Sequence, residues 1–134
     1  MMSNKLIRFC LFCILFATIL SVFYFSWLPN PSFKTEKYLP NWLIKWTDEN
    51  GILRTGVPFV LLGANAVLLK IKTLSYFKIF WSLFALLFTA EFGQLFLPNR
   101  RFDVMDILVG AGSLGLGIFA GRVLKIFCSI EDNV

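Results

Sequence analysis

The chain of 134 residues is 57% hydrophobic and 17% aromatic but only 16% charged, which is too apolar for an ordinary soluble domain, and its apolar residues run in long uncharged blocks. A bilayer core of about 30 Å takes roughly 20 helical residues to cross, so this length accommodates about four spans with short connections and excludes a separate soluble domain. The net charge of +5 does not indicate a nucleic-acid partner, because Lys and Arg stand in small groups beside the apolar blocks and form no continuous face; they are read as topology determinants and contacts to anionic lipid. Histidine is absent, which removes Ser-His-Asp catalysis and histidine-ligated metals; no metal site and no cofactor is expected.

Lys5 and Arg8 precede an uncharged stretch over 9–28. A signal peptide has the same charged start but a shorter apolar region and a small-residue cleavage site, so the stretch is read as an uncleaved first span, about 8–28. Tyr24 and Trp27 are expected at its far interface, as amphipathic aromatics prefer, and Pro29, Asn30 and Pro31 supply turn chemistry. Cys10 and Cys13 spell C-x-x-C inside this apolar helix, where a thiolate would be poorly solvated; both are read as buried small hydrophobes, and Cys128 as lying near a membrane surface.

Residues 32–56 hold most of the loop polarity. Around Pro40, the residues Leu39, Trp42, Leu43 and Trp46 recur at helical spacing while Lys45, Asp48 and Glu49 lie off that stripe. Two readings stay open: a short interfacial helix on the membrane, or a lid packed on the bundle end. Asn50-Gly51 is read as a turn. The second span is expected at about 55–70, with Pro58 in its first turn and Lys70 and Lys72 snorkelling from a short apolar stretch. The third and fourth spans are expected at about 79–97 and 107–127. The brief PNRRFDVMD connection makes these two antiparallel neighbours. The fold class is therefore all-α, an integral membrane four-helix bundle with a short interfacial helix in the first loop, forming a single domain over 1–134. With the N-terminus inside, seven basic residues are cytoplasmic against six outside, which places both termini in the cytoplasm and the 98–106 turn at the outer face.

Polar residues inside the spans are the candidates for function. Glu91 is roughly 18 Å into the third span and roughly 9 Å from its end at 1.5 Å rise per residue, where an acid costs about 2.5 to 3.5 kcal/mol on insertion scales. Gln94, one turn later, shares its face, and Pro98 stops the helix. Two polar residues on one stripe face the bundle or a wet cavity, either as a clasp between helices or as a ligand site. Asp103 and Asp106 precede the fourth apolar run, where the first can cap the helix and the second benefits from its dipole. Arg100 and Arg101 serve as interfacial anchors or, for Arg100, as an anion ligand. A literal G-x-G-x-x-G at Gly110, Gly112 and Gly115 lies within a span and follows no strand, so it is not a nucleotide fingerprint. Gly110, Ser113, Gly117 and Gly121 instead form a small-residue stripe that suits close packing against the third span. Arg122, roughly five turns below Asp106, is read as snorkelling to the inner surface.

The pattern E-x-x-Q-x-x-x-P-x-R-x-x-D-x-x-D over Glu91, Gln94, Pro98, Arg100, Asp103 and Asp106 resembles that of the VanZ-like family of small bacterial membrane proteins, whose founding member is associated with teicoplanin resistance. The resemblance is specific over about residues 90–117. Gly110 stands where the family usually has asparagine, Ser113 occupies a usual glycine position, and the histidine of many members is missing. The resemblance implies a multi-pass protein of the bacterial cytoplasmic membrane with a cell-envelope role. A non-enzymatic reading follows, in which the Glu91, Gln94, Arg100, Asp103 and Asp106 cluster binds an envelope lipid or lipid-linked precursor. The alternative is a membrane enzyme on a lipid-linked phosphate or sugar, with Arg100 holding an anion while an acid acts as base. A third reading is purely architectural, with the same residues serving as caps, clasps and anchors.

Overall fold

The computed structural model describes residues 4–30, 32–69 and 74–131, with only the backbone of residue 4 and of 128–131. Pro31, Lys70, Lys72 and the Cys128 side chain, each given a role above, lie outside the described residues. Five helices follow in order: α1 (Asn4–Ser26), α2 (Asn41–Glu49), α3 (Gly51–Leu68), α4 (Tyr76–Gly93) and α5 (Val104–Glu131). Four of them, all but α2, are long and apolar enough to cross a membrane. The chain is an all-helical, multi-pass membrane protein.

The second span starts earlier than its apolar block suggests. Asn50 alone separates α2 from α3: its side-chain amide donates to the Trp46 carbonyl at 2.9 Å, closing α2, while its own carbonyl accepts from Arg54 N at 2.9 Å, opening α3. Asn50-Gly51 is thus a one-residue joint instead of a separate turn. As a result Pro58 sits inside α3 and not in its first turn. Lacking an N–H, it interrupts the hydrogen-bond ladder there.

Core residues are Leu62 and Val67 of α3, Leu83, Leu87 and Ala90 of α4, Leu114 and Ile118 of α5, and Val22 of α1. The tightest pair is α3 with α5, because glycine lets the two backbones touch. A β-carbon at Gly63 would meet the Leu114 carbonyl oxygen at 2.7 Å, one at Gly121 would meet that of Ala64 at 2.8 Å, and one at Gly117 would overlap that of Val60. In lipid, where apolar side chains gain nothing by leaving the solvent, such close approach is what holds helices together. The small-residue stripe therefore serves the second span, not the third as expected: only Gly110 faces α4, at Leu87, and Ser113 lies against Gly56 of α3. Sequential connection made α4 and α5 neighbours, but it did not make them the closest pair.

Helix α1 is built differently. Val22 is its only buried hydrophobic, while Phe9, Phe12, Phe16 and Leu20 are exposed, as suits a lipid-facing helix. Cys10 and Cys13 are exposed too, which corrects their reading as buried hydrophobes. In a membrane a cysteine facing the hydrocarbon still avoids water, so apolar surroundings do not require burial in protein.

The C-terminal ends of α1 and α4 and the N-terminal ends of α3 and α5 meet at one end of the bundle, called here the polar end. Trp27 Nε1 donates to the Ala90 carbonyl at 3.2 Å, with the indole stacked over Gly93, where a β-carbon would collide with it. Phe33, in a one-turn helix at Phe33–Thr35, is buried between the Phe25 ring at 5.0 Å and the Arg54 guanidinium at 5.4 Å. Ser32 Oγ ties this turn to Asp48 of α2 at 2.8 Å. At the opposite end Lys125 Nζ reaches the Val67 carbonyl at 3.5 Å, and the Arg122 guanidinium lies over Tyr76, 4.7 Å from its ring centroid.

Candidate functional site

The sequence places Glu91 roughly 9 Å before a helix end, and the structure shows how that end is shaped. Below Pro98 the helix tightens into a single 3-10 turn, Gln94–Phe96, a common way for a helix to finish. Gln94 Nε2 donates to Glu91 Oε2 at 3.1 Å. Both side chains are buried, at 4% and 6% exposure. The pair is a local clasp within one helix end, not a clasp between two helices.

Arg100 reaches across the loop to α1. Its Nε donates to the Leu28 carbonyl and its Nη2 to the Phe25 carbonyl, both at 2.9 Å. These are carbonyls at the C-terminal end of α1, which have no amide partner within the helix, and a planar guanidinium with a cation's charge suits them well. Arg100 therefore anchors the end of α1 within the protein, a partner that the reading of it as an interfacial anchor does not include. Burial, and after it the charge of Arg54, lowers the guanidinium pKa from its ordinary value, while Glu91 and Asp106 oppose that shift.

Asp103 and Asp106 part company. Asp103 Oδ1 accepts from Met105 N at 2.8 Å, immediately before α5; this is an exposed N-cap. Asp106, in the first turn of α5, accepts from Thr55 Oγ1 of α3 at 3.2 Å. Arg101 is exposed.

Glu91, Gln94, Arg100 and Asp106 line one cavity of about 500 Å³, together with Arg54 and Thr55 at the start of α3. That volume is ordinary for a small-ligand site. The rest of the wall is largely apolar: Ile14, Val22 and Phe25 of α1, Leu39, Leu43 and Trp46 of the α2 segment, and Val57, Phe59 and Leu61 of α3. Thr18 and Ser21 add hydroxyls to the α1 wall, but each donates to its own helix, to the Ile14 and Ala17 carbonyls, at 2.8 Å. The cavity thus has a charged end and a greasy length. Ile14 to Phe25 alone spans roughly 16 Å of α1 at 1.5 Å per residue.

Arg54 and Thr55 were not among the sequence candidates. They lie at or before the start of the apolar block of the second span, and the extension of α3 back to Gly51 places them on a helix beside Asp106. The α2 segment contributes Leu39, Leu43, Trp46 and Thr47 to the cavity while Trp42 is 71% exposed, so it covers the cavity with one face and leaves an aromatic on another. Among the described residues no group of three or more His, Cys, Asp or Glu side chains could hold a metal ion. Compared with protein-family models, with characterised proteins and with solved structures, the chain matches none.

Proposed function

We propose that this chain is a VanZ-like protein of the bacterial cytoplasmic membrane, with both termini in the cytoplasm and the polar end at the outer face, and that it holds an amphiphilic component of the cell envelope without transforming it. One observation supports this most: a single cavity joins Glu91, Gln94, Arg100 and Asp106 to long apolar walls on α1 and α3. A purely architectural set of caps and anchors would leave its polar atoms on local partners, as Asp103 does. Glu91 and Asp106 each engage one carboxylate oxygen within the protein and, unlike the exposed Asp103, line the cavity.

The test is an envelope phenotype measured against protein amount. Expression in a teicoplanin-sensitive bacterium is expected to shift teicoplanin susceptibility, and Glu91→Gln is expected to abolish that shift at unchanged abundance in the membrane. If Glu91→Gln acts only by lowering abundance, the residue is architectural and the proposal fails. A second reading, an enzyme acting on a lipid-linked phosphate or sugar, draws on the same pair of partly engaged carboxylates beside two guanidinium groups, an arrangement able to hold an anion and accept a proton. Release of phosphate or sugar from such a lipid by the purified protein would decide for it.

A further inference from the structure

If the cavity holds an envelope amphiphile, as proposed above, its walls narrow down which kind. Cavity-lining residues within the spans are also exposed at the protein surface: Ile14 of α1 is 48% exposed, and Val57 and Leu61 of α3 are 45% and 49%. The cavity therefore opens sideways between α1 and α3, at the depth where the hydrocarbon of the bilayer lies, and not only toward water. An occupant entering there brings an apolar chain with it.

The charged end carries both signs. Arg54 and Arg100 lie in the same wall region as Glu91 and Asp106, so the formal charges cancel and a simple anion or a simple cation would each meet repulsion as well as attraction. The two signs are not spent on each other at Arg100, whose bonded N–H groups go to main-chain carbonyls of α1. Glu91 Oε2 is taken by Gln94 and Asp106 Oδ1 by Thr55, which leaves an acceptor oxygen on each acid. No fully buried side-chain N or O among the described residues lacks a partner, so these unused oxygens are not sealed in protein, and both residues line the cavity. Burial first, and then Arg54, lowers the Arg100 pKa, and an anion placed beside the guanidinium would favour its charged form.

We infer that the occupant is a phospholipid-class amphiphile with a zwitterionic headgroup, its phosphate held at Arg100 and Arg54, its amine at Asp106 and Glu91, and one hydrocarbon chain lying between α1 and α3. Guanidinium is the preferred donor to phosphate oxygens, and a carboxylate with a free lone pair accepts from an ammonium. Ser21, small and on the α1 wall of the cavity, leaves room for the chain.

The inference is tested on the purified full-length protein, by native mass spectrometry of lipid retained after exchange into detergent containing one short-chain probe at a time. The probes are a phosphoethanolamine lipid, a phosphoglycerol lipid and a neutral glycosyl lipid. The phosphoethanolamine probe is expected to bind about tenfold or more tighter than either of the others, the equivalent of one charge-assisted hydrogen bond. Asp106→Asn is expected to erase its advantage over the phosphoglycerol probe while leaving the latter bound; Glu91→Gln provides the same readout should Asp106→Asn lower helical content by circular dichroism. Ser21→Leu, which fills the groove, is expected to remove retention of all three. Equal or tighter binding of the phosphoglycerol or glycosyl probe overturns the zwitterion assignment and leaves the amphiphile reading standing. Failure of the wild type to retain any probe, or retention indifferent to Ser21→Leu, sinks both.

Discussion

The α3–α5 pair and α1 are held by opposite means. Between α3 and α5 the contact is backbone on backbone, with Gly63, Gly117 and Gly121 leaving no room for a β-carbon. Helix α1 presents most of its side chains to lipid and is fastened at its C-terminal end, by Arg100 at the Phe25 and Leu28 carbonyls and by Trp27 at Ala90. One pair forms a scaffold that cannot slide, and the other element is a wall whose polar ties lie at one end. The cavity lies where these two kinds of construction meet, which is why it can be both well shaped at its charged end and open along its length.

The largest effect is expected where the scaffold has no slack. Gly117→Ala places a methyl group onto the Val60 carbonyl and should destabilise the protein by about 3 kcal/mol, because a backbone cannot step aside as a side chain can; unfolding in mixed micelles measures it. Gly112→Ala, with nothing within 4 Å of the added carbon, is the matched control and should change stability by less than about 0.5 kcal/mol. An equal response from the two glycines would erase the contrast between scaffold and wall.

A middling effect is expected at the fastening of α1. Arg100→Lys keeps the charge but loses the fork that spans two carbonyls, a cost of about 1.5 to 3 kcal/mol. Spin labels on α1 and α3 should report a broadened distance distribution in this variant, with α3 to α5 distances unchanged. Broadening of both would mean that α1 is part of the scaffold after all. The smallest effect is expected at Asp103→Ala, which removes an exposed cap from α5 for about 1 kcal/mol and should leave lipid retention as in the wild type.

Much of this plan is legible in the chain because lipid imposes a simple code. Uncharged blocks of span length became α1, α3, α4 and α5, and the stripe of Leu39, Trp42, Leu43 and Trp46 became a short helix from Asn41 on, with Leu39 just before it. Asp103 followed the rules of helix ends, which depend only on its immediate neighbours. Pairings across the bundle were harder to read. A stripe of small residues states that some backbone comes close but not which one, and the short loop after Pro98 drew the expectation toward α4 when the partner was α3. Arg54 and Thr55 escaped for a related reason, since an apolar block marks where lipid begins and not where the helix begins. Cys10 and Cys13 were misplaced because in a bilayer the same apolar side chain is at home inside the bundle or outside it. Glu91, Gln94, Arg100 and Asp106 are legible as a group, together with Asp103, but the α1 carbonyls that orient Arg100 are separated from it by 72 and 75 positions and leave no mark on its neighbours.

The sideways opening between α1 and α3 also sets the units in which occupancy must be counted. Whatever enters from the hydrocarbon side is present at a mole fraction of the surrounding lipid, not at a concentration in water, and it arrives by diffusion in two dimensions. A binding preference that looks weak in detergent solution can then keep the cavity filled in a membrane where the preferred molecule is abundant, and the composition of the bilayer itself becomes the variable to which the cavity responds.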